Sequence, residues 1–208
     1  MAIEAYKHVT LPGSPGSPIV FSFHGTGGDE NQLVSLARDL VPGASVVSPR
    51  GDVSEAGAAR FFRRTGEGVY DMTDLARATA KMDGFVRAHV MDLKPSSVIG
   101  IGYSNGANIL AATVFAAPEL FDAGVLMHPL IPFQPVIDGD LAGRRLLITA
   151  GRRDPICPPE LTQRLEAWLR SAGAEVELVW HDGGHEVRPS EIEAARRFLS
   201  AREKRDDR

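Results

Sequence analysis

Two hydrophobic patterns alternate along the chain. Short apolar runs recur at Ile19–Phe23, Ala44–Ser48, Ser97–Gly102, Asp122–Met127 and Arg144–Gly151, and an alternating run covers Glu175–Trp180. Runs of this length, rich in branched residues, predict strands buried on both faces. Between them lie stripes at helical spacing. Leu33, Leu36, Ala37 and Leu40 mark one helix, with Asp29 as N-cap and Gln32 in capping-box position. Leu75, Ala78, Met82, Phe85 and Val90 mark another within Asp71–Leu93. Asn108–Phe115 predicts a helix ending before Pro118. Leu161, Leu165, Trp168 and Leu169 stripe a helix closed by Gly173. The last helix is expected to open with Ser190 and Glu193 as a capping box. Ala5–Leu11 suggests an edge strand, and Pro49–Tyr70 reads as a loop long enough to carry function. Strands alternating with helices predict an α/β fold, a doubly wound and mostly parallel sheet. One domain over residues 1–202 is expected, with a charged tail at 203–208.

Gly102-Tyr103-Ser104-Asn105-Gly106 stands between a predicted strand and a predicted helix. Strand, sharp turn with a serine at its apex, then helix is the context of a nucleophile elbow. The glycines relieve crowding where strand and helix cross, and the helix N-terminus favours developing negative charge. A serine needs a base, and a histidine base needs a carboxylate to set its tautomer. Downstream, Asp154 follows the Arg144–Gly151 strand and His185 follows the Glu175–Trp180 strand. In an open parallel sheet all strand C-termini share one edge, where ligands bind. Ser104, Asp154 and His185 therefore form a candidate catalytic triad in the chain order Ser, Asp, His.

Acyl transfer also needs donors for an oxyanion. The N–H of Asn105 and that of Thr26, in the turn His24-Gly25-Thr26-Gly27-Gly28-Asp29, are assigned that role. A phosphate loop is a poor reading of this turn, since no Lys follows and Asp29 and Glu30 would repel phosphate. His24 is read as ordering the turn rather than as a second base. His181-Asp182-Gly183-Gly184-His185 lacks the helical spacing of a metal motif, so no metal and no cofactor are expected. Cys157 reads as a small buried filler.

The His24-Gly25-Thr26-Gly27 turn, the Ser104 elbow, Gly151-Arg152-Arg153-Asp154-Pro155 and Gly183-Gly184-His185 together resemble the phospholipase/carboxylesterase branch of the α/β-hydrolase superfamily. That branch includes acyl-protein thioesterases. The resemblance spans residues 18–200. It implies a three-layer α/β/α sandwich, serine esterase chemistry without a metal, and frequently a homodimer. Thioesterase members usually carry Gln where this chain has Asn105. That departure favours a serine carboxylesterase acting on small-molecule esters over a protein-acyl thioesterase. A thioesterase or lysophospholipase with the same triad stays open, as does a non-catalytic ligand-binding homologue.

Phe61 and Phe62 are candidates for an acyl pocket or for the core, and Arg63 and Arg64 for an anion contact or for solvent. His128 and Leu130 follow a strand end and are candidates for the pocket wall. The 208 residues leave no room for a full cap domain. A net charge of −4 without a basic block argues against nucleic acid or an anionic membrane as partner. The N-terminus lacks the apolar core of a signal peptide, and no run approaches a membrane span. The single Cys157 cannot form an internal disulfide, which points to the cytoplasm.

Overall fold

A computed structural model describes residues 2–201. The charged tail expected at 203–208 lies outside the described residues. A single 3-10 turn, Ala2–Ala5, precedes β1 (His8–Leu11), β2 (Ile19–Phe23), α1 (Val34–Leu40) and β3 (Ser45–Pro49). Four short strands follow, β4 (Val53–Glu55), β5 (Ala58–Arg60), β6 (Arg64–Gly66) and β7 (Val69–Tyr70). Then come α2 (Met72–Leu93), β8 (Val98–Tyr103), α3 (Asn105–Ala116), β9 (Ala123–Met127) and β10 (Arg145–Gly151). The described chain closes with α4 (Pro159–Ser171), β11 (Glu175–His181) and α5 (Pro189–Ser200).

Seven strands make one sheet in the order β1-β3-β2-β8-β9-β10-β11. β1 runs antiparallel to β3 at the edge, and every other pairing is parallel. Side chains alternate across the sheet with period two. Ile19, Phe21, Phe23, Leu146 and Ile148 join the core under α2, α3 and α4. Val20, Ile99, Ile101 and Leu147 join a second core under α1 and α5. The result is the expected α/β/α layering, with a core on each face of the sheet. Among the described residues, no helix is long and apolar enough to cross a membrane.

Register aligns the strand ends. Tyr103 pairs with Met127, Met127 with Thr149, and Thr149 with Val179. The loops leaving β8, β9, β10 and β11 therefore start at one edge. α3 leaves β8 at very short range. A Cβ on Gly102 would sit 2.5 Å from the Gly106 carbonyl oxygen, and one on Gly106 would land on the Phe23 carbonyl.

Local details differ from the sequence reading in three places. The segment from Pro49 to Tyr70 is not an open loop: β4–β5 and β6–β7 form two small antiparallel hairpins. Asp29 does not cap α1, which begins after Leu33. Its carboxylate instead accepts the Asn31 N–H at 2.9 Å in a local turn, and Gln32 Oε1 accepts the Gly25 N–H at 2.8 Å. α5 opens at Pro189 rather than on a Ser190 cap, because proline's fixed φ suits the first helical position. Glu191, not Glu193, reaches back to the Arg188 N–H at 2.6 Å.

The crossing of α3 makes a prediction. Gly106→Ala should destabilise the protein by about 3 kcal/mol or more, since backbone must move. Gly84→Ala, in α2 with nothing near the added methyl, should stabilise by about 0.5–1 kcal/mol. Urea denaturation of both variants against wild type checks the contrast.

Candidate active site

Ser104 stands between β8 and α3 with φ +52° and ψ −116°. A non-glycine residue there stores roughly 1–3 kcal/mol of strain, held by the surrounding structure. Ser104 N–H donates to the Met127 carbonyl at 2.9 Å, and its own carbonyl accepts from Asn108 N–H at 3.0 Å. Its hydroxyl makes no capping bond and is free for other partners. That hydroxyl lies 2.9 Å from His185 Nε2. His185 Nδ1 lies 2.7 Å from Asp154 Oδ2. A carboxylate only accepts, so the His185 proton sits on Nδ1 and Nε2 is left to accept from Ser104.

The supports of this chain of bonds come from several elements. Asp154 Oδ1 accepts backbone N–H groups from Ile156 at 2.8 Å and Cys157 at 3.0 Å. The Tyr103 hydroxyl donates to the His185 carbonyl at 2.8 Å. Gly151, at the end of β10, lets the Gly183–Gly184 backbone pass so closely that a Cβ would strike the Gly184 carbonyl. The loop bearing His185 is thereby pressed against the strand that leads to Asp154.

Thr26 and Asn105 both line the cavity in front of Ser104. Asn105 is the first residue of α3, so its N–H has no intrahelical acceptor. Its side-chain oxygen accepts from Phe61 N–H at 2.8 Å. The Thr26 hydroxyl accepts from Arg60 at 2.7 Å. His24 orders this turn: Gly51 N–H donates to its Nε2 at 2.9 Å, so its Nδ1 donates to the Gly25 carbonyl at 2.7 Å. Burial lowers its pKa and keeps it neutral.

The cavity holds about 320 Å³. Leu130 is part of its wall, and so are Arg60, Arg64, Tyr70 and Ile156. The other four expected contact residues, Phe61, Phe62, Arg63 and His128, are placed elsewhere. Phe61 and Phe62 are fully buried, Phe61 in edge-to-face contact with Tyr6 and Phe23 and Phe62 with Tyr70. They serve the core because burying such rings is worth about 1.5–3 kcal/mol each. Arg63 points away, paired with Asp71 and Asp74 at the start of α2. His128 is also fully buried and lies beneath Asp154 rather than beside the substrate space.

Sequence reasoning missed a polar brace of this wall. The Tyr70 hydroxyl donates to the Leu130 carbonyl at 2.6 Å and accepts from Asn108 Nδ2 at 2.8 Å, while Asn108 Oδ1 accepts the Leu130 N–H at 2.7 Å. Asn108 carried a signal, being a polar residue at the buried start of an apolar helix; Tyr70 carried none.

Under Asp154 the buried polar groups continue. His128 Nδ1 is 3.0 Å from Asp154 Oδ2, and its Nε2 is 3.0 Å from Glu191 Oε1. Burial disfavours the charged imidazole, but its bonds to Asp154 and Glu191 outweigh this and raise its pKa to about 9. Burial would raise the Asp154 pKa, yet donors from His128, His185, Cys157 and Ile156 hold it well below the usual carboxylate range. Two groups could offer metal ligands among the described residues: His128, His181 and Glu191, and His128, Asp154 and His185. In the first, Gly183 N–H donates to His181 Nδ1 at 2.9 Å, so the proton occupies Nε2 and blocks that lone pair. In the second, both Nδ1 atoms carry protons toward Asp154.

The layered sheet, the elbow and the grouping of Ser104, His185 and Asp154 at one edge define an α/β-hydrolase. The sequence profile of the dienelactone hydrolase family matches residues 56–190, and the chain belongs to that family. The resemblance read from the motifs holds: the family is one of α/β-hydrolases, and the solved structures similar to this chain include carboxylesterases. The putative hydrolase MhqD of Bacillus subtilis is 38% identical over 194 residues, covering 92% of this chain and 96% of its own. Protein Atu2452 of Agrobacterium tumefaciens, of unknown function, is 57% identical with a TM-score of 0.93, covering 97% of this chain and 98% of its own. A Bacillus cereus carboxylesterase is 37% identical with a TM-score of 0.90, covering 94% of each chain.

The buried charges make stability depend on pH. A histidine whose folded pKa is raised stabilises below its unfolded value and loses that contribution as pH rises through the folded one. For His128 the contribution is complete below about pH 6.5 and fades through about pH 9. Asp154 acts at the other end: its contribution is present above roughly pH 4 and is lost in acid. Unfolding free energy should drop by about 3 kcal/mol between neutral pH and pH ~10 in wild type. His128→Asn should flatten that decline, as measured by urea titration at each pH.

Proposed function

We propose that this protein is a serine carboxylesterase that hydrolyses small-molecule esters through an acyl-enzyme. The observation that carries the reading is the bond sequence Ser104 Oγ, His185 Nε2, His185 Nδ1, Asp154 Oδ2, at 2.9 Å and 2.7 Å, opening on a cavity. Ser104 Oγ attacks the ester carbonyl carbon while His185 Nε2 takes the hydroxyl proton. The oxyanion is held by the N–H groups of Asn105 and Thr26, helped by the N-terminus of α3. His185 returns the proton to the leaving alkoxide as the ester C–O bond breaks. Water, deprotonated by His185, then attacks the acyl-enzyme, and Ser104 regains its proton as the acid departs. The likeness to the Bacillus cereus carboxylesterase supports this chemistry.

The cavity supports small substrates. Its volume, about 320 Å³, lies near the lower end for ligand sites. Arg60 and Arg64 on its wall are paired with Glu55, and Arg64 also with Glu67, so the wall has little net charge. Neutral esters with short acyl chains fit this wall better than long-chain or strongly anionic ones. A cytoplasmic location belongs to the same reading and is supported by the lone, buried Cys157.

Steady-state kinetics on p-nitrophenyl esters of increasing acyl length, beside thioesters and lysophospholipids, tests the proposal. Ser104→Ala should lower kcat by a factor on the order of 10⁶, and Asp154→Asn by on the order of 10⁴. Wild-type kcat/KM should be highest for short acyl chains. Retained activity in Ser104→Ala would overturn the mechanism. A preference that rises steadily into long chains or favours thioesters would overturn the substrate assignment.

A further inference from the structure

A row of buried side chains below the triad takes no part in the hydrolytic steps. At its centre, His128 follows β9 in left-handed backbone with φ +51°. That conformation is unfavourable for a residue with a Cβ, so the surrounding packing and bonds must hold it. It turns the ring under the loop after β10, where both nitrogens meet carboxylates at 3.0 Å. A neutral imidazole has one N–H and would set a lone pair against one of these oxygens. The proton cannot rest on either carboxyl, because each already accepts a full set of donors. Asp154 accepts from Ile156, Cys157, His185 and His128. Glu191 accepts from the Thr149 hydroxyl at 2.6 Å, Arg188 N–H at 2.6 Å, His181 Nε2 at 3.2 Å and His128.

We propose that His128 is a positioning residue of the triad: a buried imidazolium clamped between Asp154 and Glu191, which fixes Asp154 for His185 and shares its negative charge. This rests on the triad reading above. The charge count gives the device its use. Asp154 and Glu191 supply two negative charges and His128 one positive charge. The group reaches neutrality when His185 takes the Ser104 proton, as the transition state requires. With His128 uncharged, Asp154 would pull fully on His185, which would hold its proton to higher pH and spend less time as a base. The other groups facing His128 do not alter the count. His181 from β11 is neutral, its ring centroid 5.3 Å away. The Tyr103 ring from β8 lies at 6.0 Å, and the Cys157 thiol donates to the His128 carbonyl at 3.3 Å. Burial, then the charge of Asp154, raises the pKa of both and keeps them neutral. His185 itself lies at 5.1 Å.

Two measurements test this. Wild-type protein labelled with ¹⁵N-histidine should show one imidazole protonated on both nitrogens at about pH 7.5, lost from the spectrum of His128→Asn. In pH profiles of kcat/KM, His128→Asn keeps an N–H for Asp154 but removes the charge. Its acid limb should move up by about one pH unit. Glu191→Gln should move it in the same direction, by letting His128 lose its proton. A change in packing alone would lower the rate without moving the limb. A neutral His128 in the wild-type spectrum overturns the proposal even if neither variant folds. So does a folded His128→Asn with an unmoved acid limb. The spectrum does not depend on catalysis, so loss of the triad reading, seen as an active Ser104→Ala, is told apart from failure of this one.

Discussion

The site depends on how closely α3 passes over β2 and β8. There is no space for a side chain at Gly102 or Gly106, so the backbone must reverse within Ser104 itself. The reversal places Ser104 in a strained conformation and aims its hydroxyl away from its own helix, toward His185. The same crossing brings the Gly25–Thr26 turn beside the start of α3. A looser crossing would relieve the strain, and it would also separate the Ser104 hydroxyl from the N–H groups proposed to receive the oxyanion. The two buried cores hold the crossing together from either face of the sheet.

A second constraint is electrostatic. Asp154 is buried yet accepts from two backbone N–H groups and two imidazoles, which stabilises its charge without solvent. A carboxylate held this way cannot swing, so His185 has one orientation available. The strand register matters here as much as the local bonds. Met127, Thr149 and Val179 lie side by side, and the loops bearing His128, Asp154 and His185 leave from that line. Parallel strands of matched length thus bring residues distant in sequence to within 3.0 Å of each other.

Much of this was legible in the sequence because it follows from order and periodicity. Apolar runs gave the strands, and Ser104, Asp154 and His185 each stand just past one. Chain order and sheet topology suffice to group such residues. What escaped depends on side-chain direction where no period exists. Phe61 and Phe62 lie in the segment between two hairpins, and only the packing shows that both rings turn inward. His128 also follows a strand end, but its positive φ turns it beneath the site, and nothing in a His-Pro pair announces that. The expected caps at Asp29 and Ser190 failed for a related reason. Short polar side chains at helix starts have several local partners, and tertiary demands on Gln32 and Glu191 decided between them.

The central claim is that Ser104 is an activated nucleophile. A fluorophosphonate reacts with such a serine by forming a P–O bond to Oγ with loss of fluoride, and needs no knowledge of the natural substrate. Peptide mapping of the labelled protein by mass spectrometry should find one adduct, on Ser104, whose rate of formation falls sharply in Asp154→Asn. An adduct on another residue, or none under conditions where the ester is turned over, would contradict the account.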